Sequence, residues 1–205
     1  MSKATLYSLA GLGGATGIGG GAYLLHENSK ASKPEKRTVR SKLEKAGFKI
    51  LDPSDSQHWS TLKNEYNKVK QDSTKVFGTH TQNIEEGELK SLCQSFLEKD
   101  EGDESYGKSK RWCVVPVTVS SHLGNLGRKA LSTADSGEAD KSQWETLASS
   151  YDNAPNKIAG TNNLGSGQKW EELRSKCKGL GDKKNYEDEF DANLSSSITW
   201  CSIPS

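Results

Sequence analysis

Four cysteines are the side chains with the most chemistry to offer: Cys93, Cys113, Cys177 and Cys201. They could form disulfides, hold zinc as thiolates, or supply a nucleophile. Zinc needs closely spaced ligand pairs, and this chain has neither a CxxC pair nor histidines that keep step with the cysteines; the four are His26, His58, His80 and His122. A Cys–His nucleophile has no better support, because His122 has no histidine at the matching place elsewhere in the chain. The Ser-x-x-Lys strings at Ser60–Lys63 and Ser105–Lys108 lack the companion SDN and KTG motifs of penicillin-interacting enzymes. Acidic clusters at Asp100–Glu104 and Glu187–Asp191 read as solvated loops before they read as cation sites. No residue is therefore expected to be catalytic, to bind a cofactor or to hold a metal.

The remaining candidate motif lies near the start. Gly17-Ile18-Gly19-Gly20-Gly21-Ala22 has the G-x-G-x-x-A form of a dinucleotide fingerprint, which should join a strand to a helix and be followed by an acidic residue that ends an apolar strand. Glu35 comes at about the right distance but within the polar run SKASKPEKR. A membrane segment accounts for these residues better. From Ala4 to Leu25 the chain runs 22 residues without a charge. As a helix it would span roughly 33 Å, enough to cross a hydrocarbon core. Gly13, Gly17 and Gly21 stand four apart as two overlapping GxxxG motifs, the spacing that lets membrane helices pack and dimerise. Residues 1–25 thus read as an anchor or signal segment, and 26–37 as a basic linker.

Lys30, Lys33, Lys36, Arg37 and Arg40 come after this segment, while Lys3 and the amino terminus precede it. The positive-inside rule would keep the rest of the chain in the cytoplasm. The cysteine pattern points outward, so the two signals disagree.

The whole chain carries 28 basic against 27 acidic residues, which argues against a nucleic-acid partner needing a basic face. Leu, Ile, Val and Phe make up 36 of 205 residues, about 18% and below the rough 20% level where disorder becomes a concern. High net charge, the usual companion of disorder, is missing.

An internal repeat organises the chain beyond the linker. Thr38-Val39-Arg40-Ser41-Lys42-Leu43 through Gly47, Lys49 and Leu51 returns as Thr118-Val119-Ser120-Ser121-His122-Leu123 through Gly127, Lys129 and Leu131. Trp59, Leu62 and Tyr66 return as Trp144, Leu147 and Tyr151. Leu89 and Cys93 match Leu173 and Cys177; Trp112-Cys113-x-x-Pro116 matches Trp200-Cys201-x-x-Pro204. The order is kept while the offset drifts from 80 to 88, as loop insertions would produce. The spacing predicts two helical modules, 38–117 and 118–205, so the fold expected is mainly α: an N-terminal transmembrane or signal helix, then two similar small modules.

Each module should hold three amphipathic stripes. In the first these run through Val39, Leu43 and Ala46; Trp59, Leu62, Tyr66 and Val69; and Leu89, Leu92, Cys93, Phe96 and Leu97. An extended close is expected from Trp112 to Val119 and again from Ile198 to Ile203, with DEGDESYGKSK as an exposed loop. The repeated Trp and Leu read as core, with a groove for aromatic anchors as the lesser alternative.

Four cysteines allow three pairings. Cys93–Cys113 with Cys177–Cys201 closes each module within itself, as a duplicated unit would inherit. Bridges of this kind persist outside the cytosol, whereas reduced cysteines packed in a cytosolic core are the alternative.

The glycine-rich apolar start, the T-V-x-x-x-L-x-x-x-G-x-x-x-L string (Thr38, Val39, Leu43, Gly47, Leu51 and their partners) and the W-C-x-x-P close resemble large paralogous families of hemotropic mycoplasma proteins. The resemblance covers nearly the whole chain and implies a membrane-associated, surface-displayed protein on a wall-less, red-cell-attached bacterium. It carries over no catalytic residue. The expected function is a non-enzymatic membrane-anchored surface protein with a host-interaction or antigenic role. Its partners would be the membrane, a host protein or cell surface, and a second copy through the GxxxG helix. The alternative is a cytoplasm-facing membrane-tethered scaffold.

Overall fold

The repeated string has a local physical meaning. In the computed structural model, which describes residues 37–135 and 137–205, Thr38 caps helix α1 (Val39–Lys45). Its Oγ1 accepts from the Ser41 amide at 3.2 Å, and the Thr38 amide donates back to Ser41 Oγ at 3.0 Å, so two donors at the helix start are satisfied reciprocally. Thr118 and Ser121 repeat the forward bond at 3.2 Å on α5 (Val119–Asn125). Val39 and Leu43, like Val119 and Leu123, are buried on the inner face. Gly47 and Gly127 come next at φ +80° and +69°, a conformation that costs glycine nothing and L residues dearly. Apart from the exposed Lys49 and Lys129, the residue types common to the two strings thus have a cap, core or turn role.

The rest of each copy keeps to one plan. In the first, α1 is followed by α2 (Ser56–Lys68), α3 (Glu86–Leu97) and α4 (Tyr106–Trp112). In the second, α5 is followed by α6 (Lys141–Tyr151), α7 (Lys169–Gly181) and α8 (Phe190–Trp200). Strand β1 (Arg128–Ala130) lies between α5 and α6, and β2 (Ser202–Pro204) closes the chain. The strands pair antiparallel, Lys129 opposite Ile203, and the Leu131 amide continues the ladder to the Cys201 carbonyl at 2.9 Å. The first copy makes the same crossing with an Ile50–Val114 bridge and a 3.0 Å bond from the Leu51 amide to the Cys113 carbonyl.

The described region is mainly helical, with eight helices among the described residues. No helix of the described residues is long and apolar enough to cross a membrane. The expected anchor over 1–25, with Gly13, Gly17 and Gly21, and the linker up to residue 36 lie outside the described residues.

One sequence expectation is corrected. The extended closes do not begin at Trp112 or Ile198; α4 runs to Trp112 and α8 to Trp200, and extension begins only past the cysteines. The inner stripe of α8 is Phe190, Asn193, Ser197 and Trp200, spaced three and four apart but half polar, so the hydrophobic period is broken. In α4 the buried pair is Ser109 and Trp112, a single apolar residue in two turns. The loop expected over DEGDESYGKSK therefore stops at Ser105.

The copies build two apolar cores, and these do not respect the repeat boundary. The core of the first copy also takes in Val119, Tyr186 and Phe190 of the second. The second core runs from Leu131 and Trp144 to Trp200 and Cys201. The described residues form one compact unit.

Gly47 stands at this junction, where a Cβ would meet the side chain and carbonyl of Asn125 at 3.3 Å. Gly47→Ala is expected to lower stability by roughly 1–2 kcal/mol, from positive φ and crowding together. Gly127→Ala, equally positive in φ but in open space, should cost less; urea denaturation of the two variants checks the order.

Candidate functional site

The cysteines form two disulfides, Cys93–Cys113 and Cys177–Cys201, with Cα–Cα distances of 5.4 and 5.5 Å. Each ties the third helix of its copy to the end of the fourth. All four cysteines are 5% exposed or less, so the bridges are core elements.

The repeated aromatics anchor loops through their polar tips as well as filling the core. Trp59 Nε1 donates to the Asp52 carbonyl at 2.8 Å, and Trp144 Nε1 to that of Ser132 at 3.1 Å. Tyr66 Oη accepts from the Phe77 amide at 3.2 Å, and Tyr151 Oη from Ile158 at 2.9 Å. Trp112 Nε1 donates to the Lys75 carbonyl at 2.6 Å, and Trp200 Nε1 to that of Asn156 at 2.7 Å. Every repeated Trp or Tyr of the string therefore makes a repeated bond, and the α2–α3 and α6–α7 loops are held from inside.

The residues with suggestive chemistry are mostly accounted for by structure. His58 Nδ1 lies 2.6 Å from Asp55 Oδ2 at the start of α2, and the Asp55 carboxyl is held below its ordinary range chiefly by this bond. His80 Nε2 lies 3.3 Å from Tyr66 Oη. Ser105 is buried in the α4 turn, where Asp103 accepts from its amide at 2.8 Å. Among the described residues no three His, Cys, Asp or Glu side chains gather as a metal site.

The Glu187–Asp191 cluster is not a free acidic loop. Asp188 accepts from Lys75 at 2.7 Å and Arg111 at 2.9 Å, and Asp191 pairs with Lys110. The Asp188 carboxyl is held low by Lys75 first and Arg111 second. All three cations belong to the first copy and both carboxylates to the second, so the cluster is the rim of a joint. Asn185 adds a backbone splint: its Oδ1 accepts from the Val117 amide at 2.9 Å and its Nδ2 donates to the Lys110 carbonyl at 2.8 Å.

Inside that rim the Phe48 ring stacks on His122 at 4.0 Å, with Phe190 about 6 Å from both. His122 is 1% exposed and its Nδ1 has no hydrogen-bond partner. Sequence reasoning missed this joint. The one available signal was inequality within the repeat: His122 stands where the first copy has Lys42, and Phe48 where the second has Arg128. Those two charges face their own copies, Lys42 donating to the Glu101 carbonyl at 3.0 Å and Arg128 to Ile198 and Ser202. The joint is thus one-directional, and each copy's unused face carries a charge where the used face carries a ring.

Two of the shallow clefts lie beside the joint and the first disulfide. One of about 200 Å³ lies along the joint, with Thr74, Lys75, Lys108, Lys110, Glu187 and Asp191 among its walls. The other, about 240 Å³, sits beside the first disulfide over Leu51, Trp59 and Leu97, with Arg40 and Lys90 at its edge. Those edge cations are already paired, Arg40 with Glu98 at 3.0 Å and Lys90 with Glu86 at 2.7 Å. Leu126, at 37% exposure, is the large apolar side chain left outside among the described residues. Both clefts are small for a drug-sized ligand.

No protein family, curated protein or solved structure matches the chain.

Proposed function

We propose that the chain is a non-enzymatic, membrane-anchored surface protein whose two-copy helical unit stands outside the cytosol and offers its polar face to host molecules. The observation that carries this reading is the pair of buried disulfides, one closing each copy. Bridges built into the core are expected where thiols oxidise and persist, not under cytosolic reduction. The apolar run Ala4–Leu25 supplies the anchor, and Gly13, Gly17 and Gly21 supply a surface on which two such helices pair.

The basic flank favours a second reading, a cytoplasm-facing scaffold. Of its five charges, Arg37 and Arg40 belong to the folded unit, where they face Glu101 at 3.5 Å and Glu98 at 3.0 Å; Lys30, Lys33 and Lys36 remain to argue for retention. A membrane-impermeant amine reagent applied to intact cells separates the two. Lys68 and Lys129, with side chains 67% and 55% exposed, should be modified before lysis if the unit faces outward. Modification only after lysis would establish the cytoplasmic scaffold instead.

A further inference from the structure

We propose that His122 is an acid-sensitive latch, whose protonation loosens the joint between the two copies while each copy stays closed by its own disulfide. The ring is the one titratable side chain on α5, and it packs in a three-ring cluster with Phe48 of the first copy and Phe190 of the second. Its Nδ1 is buried with no partner, so a proton added there would put a charge and an unsatisfied donor into an aromatic pocket. Around it, α1 and the turn after it contribute Ala46 and Phe48, α4 contributes Lys110, α8 contributes Asp191, and α7 meets α5 through Gly181 against Ser120. The charged groups acting on the ring are thus one cation and one carboxylate already paired with each other.

Burial is the main influence and lowers the imidazole below its ordinary value of 6.5, with Lys110 adding to it; the Ala46 backbone and Asp191 oppose. A ring harder to protonate in the closed joint than in the open one binds more protons when open. The joint is therefore firm above pH about 6.5 and weakens as pH falls from there toward the closed-state value. One proton taken up on opening multiplies the open fraction by up to about tenfold for each pH unit crossed. Asp188 is held low by Lys75 and Arg111, so the rim pair it makes survives this window.

The test is hydrogen exchange by mass spectrometry on the full chain between pH 7.5 and 5, with rates corrected for intrinsic exchange. Peptides over α5 and residues 46–50 should lose protection by several-fold to tenfold between pH 6.5 and 5. Peptides over α6 and α7, inside the second core, should not. His122→Gln, and His122→Phe as a second non-titrating variant, should flatten the response whatever they do to protection at pH 7.5. Wild-type peptides that hold their protection down to pH 5 would overturn the latch. So would variants that lose protection in step with wild type, which would move the effect to other groups.

Discussion

Replacing Cys93 and Cys113 together by alanine is expected to lower the unfolding free energy by about 3 kcal/mol, and replacing Cys177 and Cys201 by about as much. The bridges close loops of 20 and 24 residues, and in the chain-entropy model a loop of that length removes roughly 3 kcal/mol of freedom from the unfolded chain. The loss is large beside a typical total of about 5–15 kcal/mol for a domain. This chain is more vulnerable to it than most, because its aliphatic and Phe content is low and each copy has a small core. Removing both bridges should cost close to the sum, since they lie in different cores, and should leave the unit largely unfolded at 37 °C. Urea denaturation of the two double variants and the quadruple variant measures this. A loss under 1 kcal/mol for either pair would mean that the bridge adds nothing its packing does not already supply.

Trp112→Ala is the second large effect, with an expected loss of about 4 kcal/mol. The ring is 1% exposed, lies edge-on to Tyr66 at 5.1 Å, and its Nε1 satisfies the Lys75 carbonyl. Truncation leaves a cavity between α2 and α4 and an orphaned carbonyl in the loop that carries Lys75, one of the cations of the joint. Trp112→Phe keeps most of the ring volume and loses the donor, so it should cost about 1–2 kcal/mol, the share owed to the hydrogen bond. Trp200→Ala removes the equivalent contact, with Tyr151 at 4.7 Å, and should be nearly as damaging to the second core. Thermal unfolding of the three variants, monitored by circular dichroism, ranks them; a Trp112→Phe loss equal to that of Trp112→Ala would place the whole effect in the hydrogen bond.

These two effects rest on residues that were legible in the sequence. The duplicated Trp, Tyr, Cys and Thr positions mark what the fold cannot do without: caps, indole and phenol tips that hold loops, and the bridges. The three apolar stripes of each copy became helices α1 to α3 and α5 to α7, because their buried residues recur every three or four positions and, His122 on α5 apart, are almost all apolar. The fourth helix of each copy was hidden for the complementary reason. Asn193 and Ser197 face inward on α8, and a polar residue on the inner face erases the very periodicity that announces a helix. Their position is sustained by tertiary context that a linear pattern does not contain.

What the amino-acid order determined by itself is the copy: its caps, its stripes and the cysteine pair that belongs to it, all local or duplicated features visible as spacing. Only the tertiary structure decided how the copies meet. The joint unites Phe48, Lys75, Lys110 and Arg111 with His122, Asn185, Phe190 and two aspartates, and its hydrogen-bonded partners stand 68 to 113 positions apart in patterns that no period connects. A repeat reveals what its copies share, and an interface between copies needs what they do not share. The physical reason is that a one-directional contact uses a different face of each copy, so its residues differ at matching positions and drop out of any comparison of the copies.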